Sequence, residues 1–241
     1  AFYRVVDQVR FKWDIQASAS MVRNQIDEME GGKQVVSILG GELVNMPGET
    51  ANSFYGYQFK GVYSSYEEAA ASGLKNAKGV AYKGGDAIYE DISGPNGTAD
   101  GVINEYDKVA LGSAMPTLHG GITNTFRYGN WMFSAFVQAV TGNKVFNYVR
   151  YMNERMTSID NQSAHVLNRW QYEGQVTDVP RALWNDPVGN SAFSSRWIED
   201  GTYLRLKNVV LSYTIPNEFL VFKNAEFYVS ATNLLTFSKY L

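Results

Sequence analysis

The sequence predicts an all-β chain of long antiparallel strands, joined by long loops that hold short helical pieces. Three observations carry that expectation. Apolar and polar residues alternate strictly over long runs in several places; a Gly-Asn pair separates two such runs; and Phe, Trp and Tyr make up 14% of the chain, with sixteen Tyr and twenty-two Gly against six Pro. Alternation with a period of two marks a strand with one apolar face, and Gly-Asn is turn chemistry that joins two strands tightly.

Composition sets further bounds. A formal net charge of −3, with Lys and Arg scattered, leaves no electrostatic footprint for nucleic acid, and none is expected as a partner. Cysteine is absent, which excludes a disulfide framework and thiolate ligation of zinc. No window approaches the roughly eighteen consecutive apolar residues of a membrane-spanning helix. Strands can still cross a bilayer, because they need only alternate.

Over residues 10–21, Phe11, Trp13, Ile15, Ala17, Ala19 and Met21 alternate with Lys12, Asp14, Gln16, Ser18 and Ser20, and the apolar set carries no charge. A run of about a dozen residues exceeds the usual strand of a soluble sheet and suits one tilted across a bilayer. Residues 23–32 are charged and read as a loop or a turn of helix; the short apolar run at 35–39 ends in Gly40-Gly41. Residues 54–63 form the next strand, with Tyr55, Tyr57, Phe59 and Tyr63 on one face, and the acidic, alanine-rich residues 66–72 form a short helix. Residues 85–116 are a long loop with carboxylates at Asp86, Glu90, Asp91, Asp100, Glu105 and Asp107, read as solvated groups that cap the loop's own turns.

The clearest hairpin follows. Leu118, Gly120, Ile122, Asn124, Phe126 and Tyr128 alternate with His119, Gly121, Thr123, Thr125 and Arg127; beyond Gly129-Asn130, the residues Trp131, Phe133, Ala135, Val137 and Ala139 alternate with Met132, Ser134, Phe136 and Gln138. Gly-Asn fits a type II′ turn, with Gly at the position of positive φ. Alternation then stops over residues 142–201, a loop of unusual length for a compact soluble domain and an expected one for the outside of a membrane barrel. Helical pieces are expected at 145–156 and 163–170. Trp170, Tyr172, Trp184, Phe193 and Trp197 in this loop are candidate stacking platforms for cargo, with packing of the loop onto its neighbours as the alternative role. Residues 197–216 read as one long strand ending at Pro216. Its apolar residues change parity between Leu206 and Val209, which places a β-bulge near Lys207-Asn208. Residues 226–237 alternate Phe227, Val229 and Ala231 with Tyr228, Ser230 and Thr232.

These blocks, in this order, resemble the C-terminal part of the SusC/RagA family of TonB-dependent outer-membrane transporters. The likeness is carried by Phe54-Tyr55-Gly56-Tyr57, by Gly85-Asp86 with Tyr89, Asp91 and Asp100-Gly101-Val102-Ile103, by Trp170 with Asp178-Val179-Pro180-Arg181, by the run from Glu199 to Asn208, and by Asn233-Leu234-Leu235-Thr236-Phe237. It implies that all of 1–241 is part of a transmembrane antiparallel β-barrel of about twenty-two strands, in the outer membrane of a Gram-negative bacterium. The plug domain, most of the barrel and a last strand are then expected elsewhere in a longer protein. The resemblance further implies active nutrient import, of glycans or oligopeptides, with a SusD/RagB-like surface lipoprotein, the TonB complex, the remaining barrel and plug, and outer-membrane lipid as partners. Lys12, Gln16, Thr123, Thr125, Arg127, Gln138 and Thr232 are the lumen-facing candidates. Trp170, Tyr172, Trp184 and Trp197 are the candidates for substrate contact. In the family the acidic loop imitates the start of a calcium loop; here residues 93–99 intervene between Asp91 and Asp100. Calcium at those two residues is the one cofactor considered, and no other is expected.

Catalysis has little to stand on. The two histidines, His119 and His165, lack ligand partners at metal spacing, and no Gly-x-Ser-x-Gly element occurs. Asp14 or the carboxylates of 91–107 would serve a glycosidase only at a set separation, which sequence does not give. No enzyme is expected. The competing reading is a soluble carbohydrate-binding β-sandwich.

Overall fold

A computed structural model describes residues 1–215 and 225–240. The strands are β1 (Phe2–Asp7), β2 (Phe11–Met21), β3 (Gln34–Ile38), β4 (Gly41–Asn45), β5 (Ser53–Tyr57), β6 (Phe59–Val62), β7 (Lys75–Asn76), β8 (Ala87–Tyr89) and β9 (Val102–Ile103). They continue as β10 (Lys108–Ser113), β11 (Leu118–Tyr128), β12 (Trp131–Thr141), β13 (Lys144–Phe146), β14 (Ile198–Asp200), β15 (Tyr203–Ile215) and β16 (Ala225–Ser238). Two short helices, α1 (Tyr66–Ser72) and α2 (Tyr148–Glu154), and three 3-10 turns complete the list. The chain forms two compact units, the first from Ala1–Arg23, Met115–Lys144 and Asp200–Leu241, the second from Asn24–Ala114 and Val145–Glu199.

The first unit is one six-stranded antiparallel sheet in the order β1-β2-β11-β12-β15-β16. Its register aligns the apolar sets of successive strands. Trp13 stands beside Phe126, then Phe133, Leu211 and Val229; Ile15 beside Asn124, Ala135, Val209 and Ala231; Ala17 beside Ile122, Val137, Leu206 and Leu235. These rows contain no charged residue. The rings of Trp13 and Phe126 stack at 5.5 Å, and Phe126 and Phe133 at 6.2 Å. Asn124 is the one polar member, and its Oδ1 accepts a hydrogen bond from Trp13 Nε1 at 3.2 Å.

The hairpin turn is as predicted: Gly129 lies at φ +56, and Asn130 is not in the left-handed region. The bulge also falls where parity demanded it. Phe136 and Val137, adjacent on β12, face Asn208 and Leu206 on β15, so Lys207 is the extra residue; those two in turn face Thr232 and Leu235 on β16, where Asn233 and Leu234 intervene. The fault widens by one residue per strand, and Asn233 takes φ +54 within it. One reading is corrected here: the predicted strand 197–216 is a 3-10 turn at Ser195–Trp197, the short β14, and β15 from Tyr203. Pro216 lies outside the described residues. On the other face Gly121 lies under Phe136, where a Cβ would meet the ring at 2.4 Å. A side chain there would displace the aromatic.

The second unit holds a four-stranded sheet, β10-β5-β4-β3, and small ladders pairing β6 with β8 and β7 with β9. Residues 23–32 contain no helix, and 35–39 continue through Leu39-Gly40, both at positive φ, into β4. The predicted strand 54–63 breaks at Gln58. Its first half pairs with β4 and β10 and its second with β8; Tyr57, Phe59 and Tyr63 still meet at one buried cluster, of which Tyr55 is not a member. Helix α1 forms where expected, because Ser65 Oγ accepts from the Glu68 amide, the Glu68 carboxylate accepts from Ser64, and Gly73 closes the end at φ +68. The predicted helix 145–156 is shorter: Phe146 belongs to β13, and Asn147 caps α2 by accepting from the Arg150 amide. The predicted helix 163–170 is a 3-10 turn over Ala164–Asn168.

The loop 85–116 departs most from expectation. Asp86 and Asp107 are fully buried instead of solvated. Arg181 grips the Asp86 carboxylate in bidentate fashion at 2.7 and 3.0 Å, while Asn190 Nδ2 and the Lys83 amide donate to it at 3.0 and 2.8 Å. Asp107 accepts from the amides of Ile92, Ser93 and Asn104. Around these nodes Tyr63, Ala69, Tyr82, Ala87, Tyr89 and Ile103 form a buried cluster. Removing one partner of a buried, hydrogen-bonded ion pair costs about 3–5 kcal/mol. Asp86→Ala is therefore expected to destabilise the second unit by about that amount, read as early proteolytic cleavage within residues 24–114 on a temperature ramp, while cleavage of the first unit is unchanged.

Candidate functional site

The polar side of the first unit's sheet is one candidate surface. Lys12, Arg127, Met132 and Ser212 make one row; Gln16, Thr123, Phe136, Asn208 and Thr232 another; Ser18, Gly121, Gln138, Arg205 and Thr236 a third. All seven lumen-facing candidates share this side. Asp14, 5% exposed, anchors it. Arg4 Nε donates to one carboxylate oxygen at 2.8 Å, and Arg127 Nη1 donates to the other. Both oxygens are thus held by guanidinium groups, which suits an ion-paired strut and not a glycosidase acid. Lys12 Nζ lies 3.6 Å from Asp7, and Arg205 Nε donates to Thr236 Oγ1 at 3.0 Å. Phe136, an aromatic on this side, is accommodated over Gly121.

The second unit sorts the aromatic candidates. Trp197 is 0% exposed and Trp170 is 7% exposed, so neither ring offers a face to cargo, and both readings as substrate contacts are corrected. Trp197 Nε1 donates to the Ala192 carbonyl at 3.1 Å, and Arg196 lies over its ring at 4.4 Å. Trp170 Nε1 donates to the Ser64 carbonyl at 3.0 Å, and Tyr66 meets its ring edge-on. Phe193 is also buried. Tyr172 and Trp184 are 65% and 63% exposed. Trp184 precedes a stiff turn in which Asn185 and Asp186 both take positive φ. The Asp186 carboxylate holds that turn by accepting from the amides of Gly189, Asn190 and Ser191 and from Ser191 Oγ. Strained backbone of this kind needs surroundings that over-determine it.

A second buried charge cluster went unforeseen. Glu154, 5% exposed, accepts from Arg150 Nε at 3.1 Å and from Ser163 Oγ, with His165 Nδ1 at 3.1 Å and Arg196 Nη2 at 3.9 Å. It ties α2 to two 3-10 turns, and burial lowers the Arg196 guanidinium to about 10. Nothing in the sequence marks Glu154, because its partners come from three segments without a common period. The Asp186 turn did carry a signal, Asn-Asp-Pro, which is turn chemistry. At the calcium candidates, Asp91 accepts from the amides of Asp100 and Gly101, and Asp100 from that of Val102. Among the described residues no group of three or more His, Cys, Asp and Glu is placed to hold a metal ion. His119 stands on the sheet's polar side, beside Ser20 and Val140.

Comparison with known proteins places this architecture. No family model matches the chain. It is 35% identical over 240 residues to TonB-dependent receptor P26 of Formosa agariphila, covering 95% of the chain and 23% of that receptor. It is 34% identical over 198 residues to TonB-dependent receptor P3 of the same organism, covering 80% of the chain and 18% of that receptor. The chain thus spans about a quarter or less of the length of these curated relatives. Among solved structures, the RagAB peptide transporter superposes over 99% of the chain and 25% of its own, with a TM-score of 0.76 at 22% identity. The RagAB peptide importer in its open-open state gives 0.74 at 20% identity, over 99% of the chain and 24% of its own. In sequence the chain is thus similar to part of these TonB-dependent receptors over nearly all of its own length, and in fold it is similar to part of the RagAB transporter.

Proposed function

We propose that the chain forms part of the wall and loops of an active importer that carries nutrients across the outer membrane. The observation that carries this reading is the two-sided sheet, with charge-free rows on one side and Lys12, Asp14, Arg127 and Arg205 on the other. Phe133, Leu211, Phe227, Val229 and Leu235 on the apolar side are 38–73% exposed. So broad an apolar surface marks an interface or a membrane. A soluble sandwich would bury it under a second sheet, and the described residues of the first unit form none. Lipid suits the apolar side and a hydrated interior suits the other.

In this reading the remaining barrel and plug complete the wall, TonB supplies the force, and a SusD/RagB-like lipoprotein meets the loops from outside. Tyr172 and Trp184 are the loop rings positioned to touch cargo. The cargo is glycan or oligopeptide, and the structurally similar RagAB is a peptide transporter.

Lys in place of Ala135 or Val137 should cost about 2–4 kcal/mol in the bilayer and reduce the heat-modifiable, folded receptor in outer membranes, whereas Lys in place of Ser134 or Gln138 should leave it unchanged. Equal loss at all four positions would count against the assignment of faces. Uptake of labelled oligosaccharides and oligopeptides by cells carrying the receptor should require TonB. Trp184→Ala or Tyr172→Ala should raise the half-saturating concentration about three- to tenfold, the scale of one lost ring contact, without loss of assembled receptor. Uptake that persists at the same rate without TonB would sink the proposal.

A further inference from the structure

The second unit contains a cavity of about 160 Å³ walled by Tyr57, Tyr82 and Tyr89 on one side and by the 186–189 turn on the other. Its walls are fixed. Asn76 Nδ2 donates to the carbonyls of Pro187 and Val188, its Oδ1 accepts from the amides of Lys78 and Val80, and Tyr89 Oη donates to the carbonyls of Gly189 and Asn190. Both oxygens of Asp186 are occupied within its own turn. Two polar groups are left over. Neither the hydroxyl of Tyr82, a residue 5% exposed, nor that of half-buried Tyr57 has a hydrogen-bond partner among the described residues, and both oxygens are open to solvent and so to a ligand. Burial holds both phenols protonated, the Tyr57 hydroxyl being pushed up to about 12 and Tyr82 above its usual value.

We infer that this cavity is a binding site for a single neutral sugar residue, held by the free hydroxyls of Tyr57 and Tyr82. A phenol both donates and accepts, which matches the hydroxyls of a pyranose, and the flanking rings match its C–H face. The volume admits one ring. A peptide would need free backbone groups, and those of the turn are spent on Asn76, Tyr89 and Asp186. A charged ligand would need a free buried charge; Lys78, which also borders the cavity, is exposed to solvent. As a contact for cargo the site rests on the import reading and selects glycan within it.

The test uses the intact receptor in detergent micelles and saturation-transfer NMR with methyl glycosides of glucose, galactose, mannose, rhamnose and xylose, beside a set of uncharged tripeptides. At least one glycoside should receive saturation. Tyr82→Phe and Tyr57→Phe, which remove only an oxygen, should each weaken its binding about three- to tenfold, the scale of one hydrogen bond, with the heat-modifiable fold retained. Absence of transfer to every glycoside, or binding that neither variant changes, would overturn the site. A tripeptide signal that alone depends on Tyr82 would replace the sugar by a peptide side chain and overturn it equally. Uptake assayed in the same cells separates the two claims: TonB-dependent uptake without glycoside binding removes the sugar site alone, and glycoside binding with TonB-independent uptake removes the import reading alone.

Discussion

The structure depends on one constraint of register: every strand of the six-stranded sheet must present its uncharged set to the same side. Side chains alternate with a period of two, so a slip of one residue would carry polar groups into the apolar rows, among them Lys12 from β2 or Arg127 from β11. The sheet meets this over five pairings. Where β15 gains Lys207 relative to β12, β16 gains a further residue, with Asn233 at positive φ inside the fault. The faces on either side of that fault remain aligned, Leu206 with Leu235 and Val209 with Ala231. A tolerated bulge therefore changes the strand path without mixing the two surfaces.

The second unit solves a different problem. It has short strands and only small apolar clusters, so buried carboxylates do the organising. Asp86 joins its own loop to Arg181 and Asn190, Asp107 folds residues 92–104 onto itself, and Glu154 gathers α2 with the turns that bear His165 and Arg196. Charge-assisted hydrogen bonds are directional as well as strong. Loops built this way can hold a strained turn such as Asn185-Asp186, which follows the exposed Trp184 and borders the cavity lined also by Tyr57 and Tyr82.

Much of the first unit was legible because its information is periodic. The alternation of 11–21 and 118–139 gave the strands, Gly129-Asn130 the turn, and the parity change before Val209 the bulge. The matching irregularity in β16 was invisible, since its two intervening residues restore parity. Non-periodic information was lost. Alternation runs unbroken through Gln58, where the strand in fact changes partner. An aspartate in a glycine-rich loop looks alike whether solvated, as expected of Asp86, or buried beneath an arginine that lies 95 residues further on. Ring chemistry does not distinguish Trp197, sealed under Arg196, from exposed Trp184. In both cases the deciding partners are distant in sequence, and only the fold brings them together.

The central claim is that one face of this sheet meets lipid and the other water. Nitroxide labels placed singly along β12 in the intact receptor, reconstituted in bilayers, test it most directly through collision with oxygen and with a water-soluble nickel chelate. Labels at Phe133, Ala135 and Val137 are expected to favour oxygen, and those at Ser134, Phe136 and Gln138 the chelate, with a period of two. Equal access of the chelate to both sets would contradict the account.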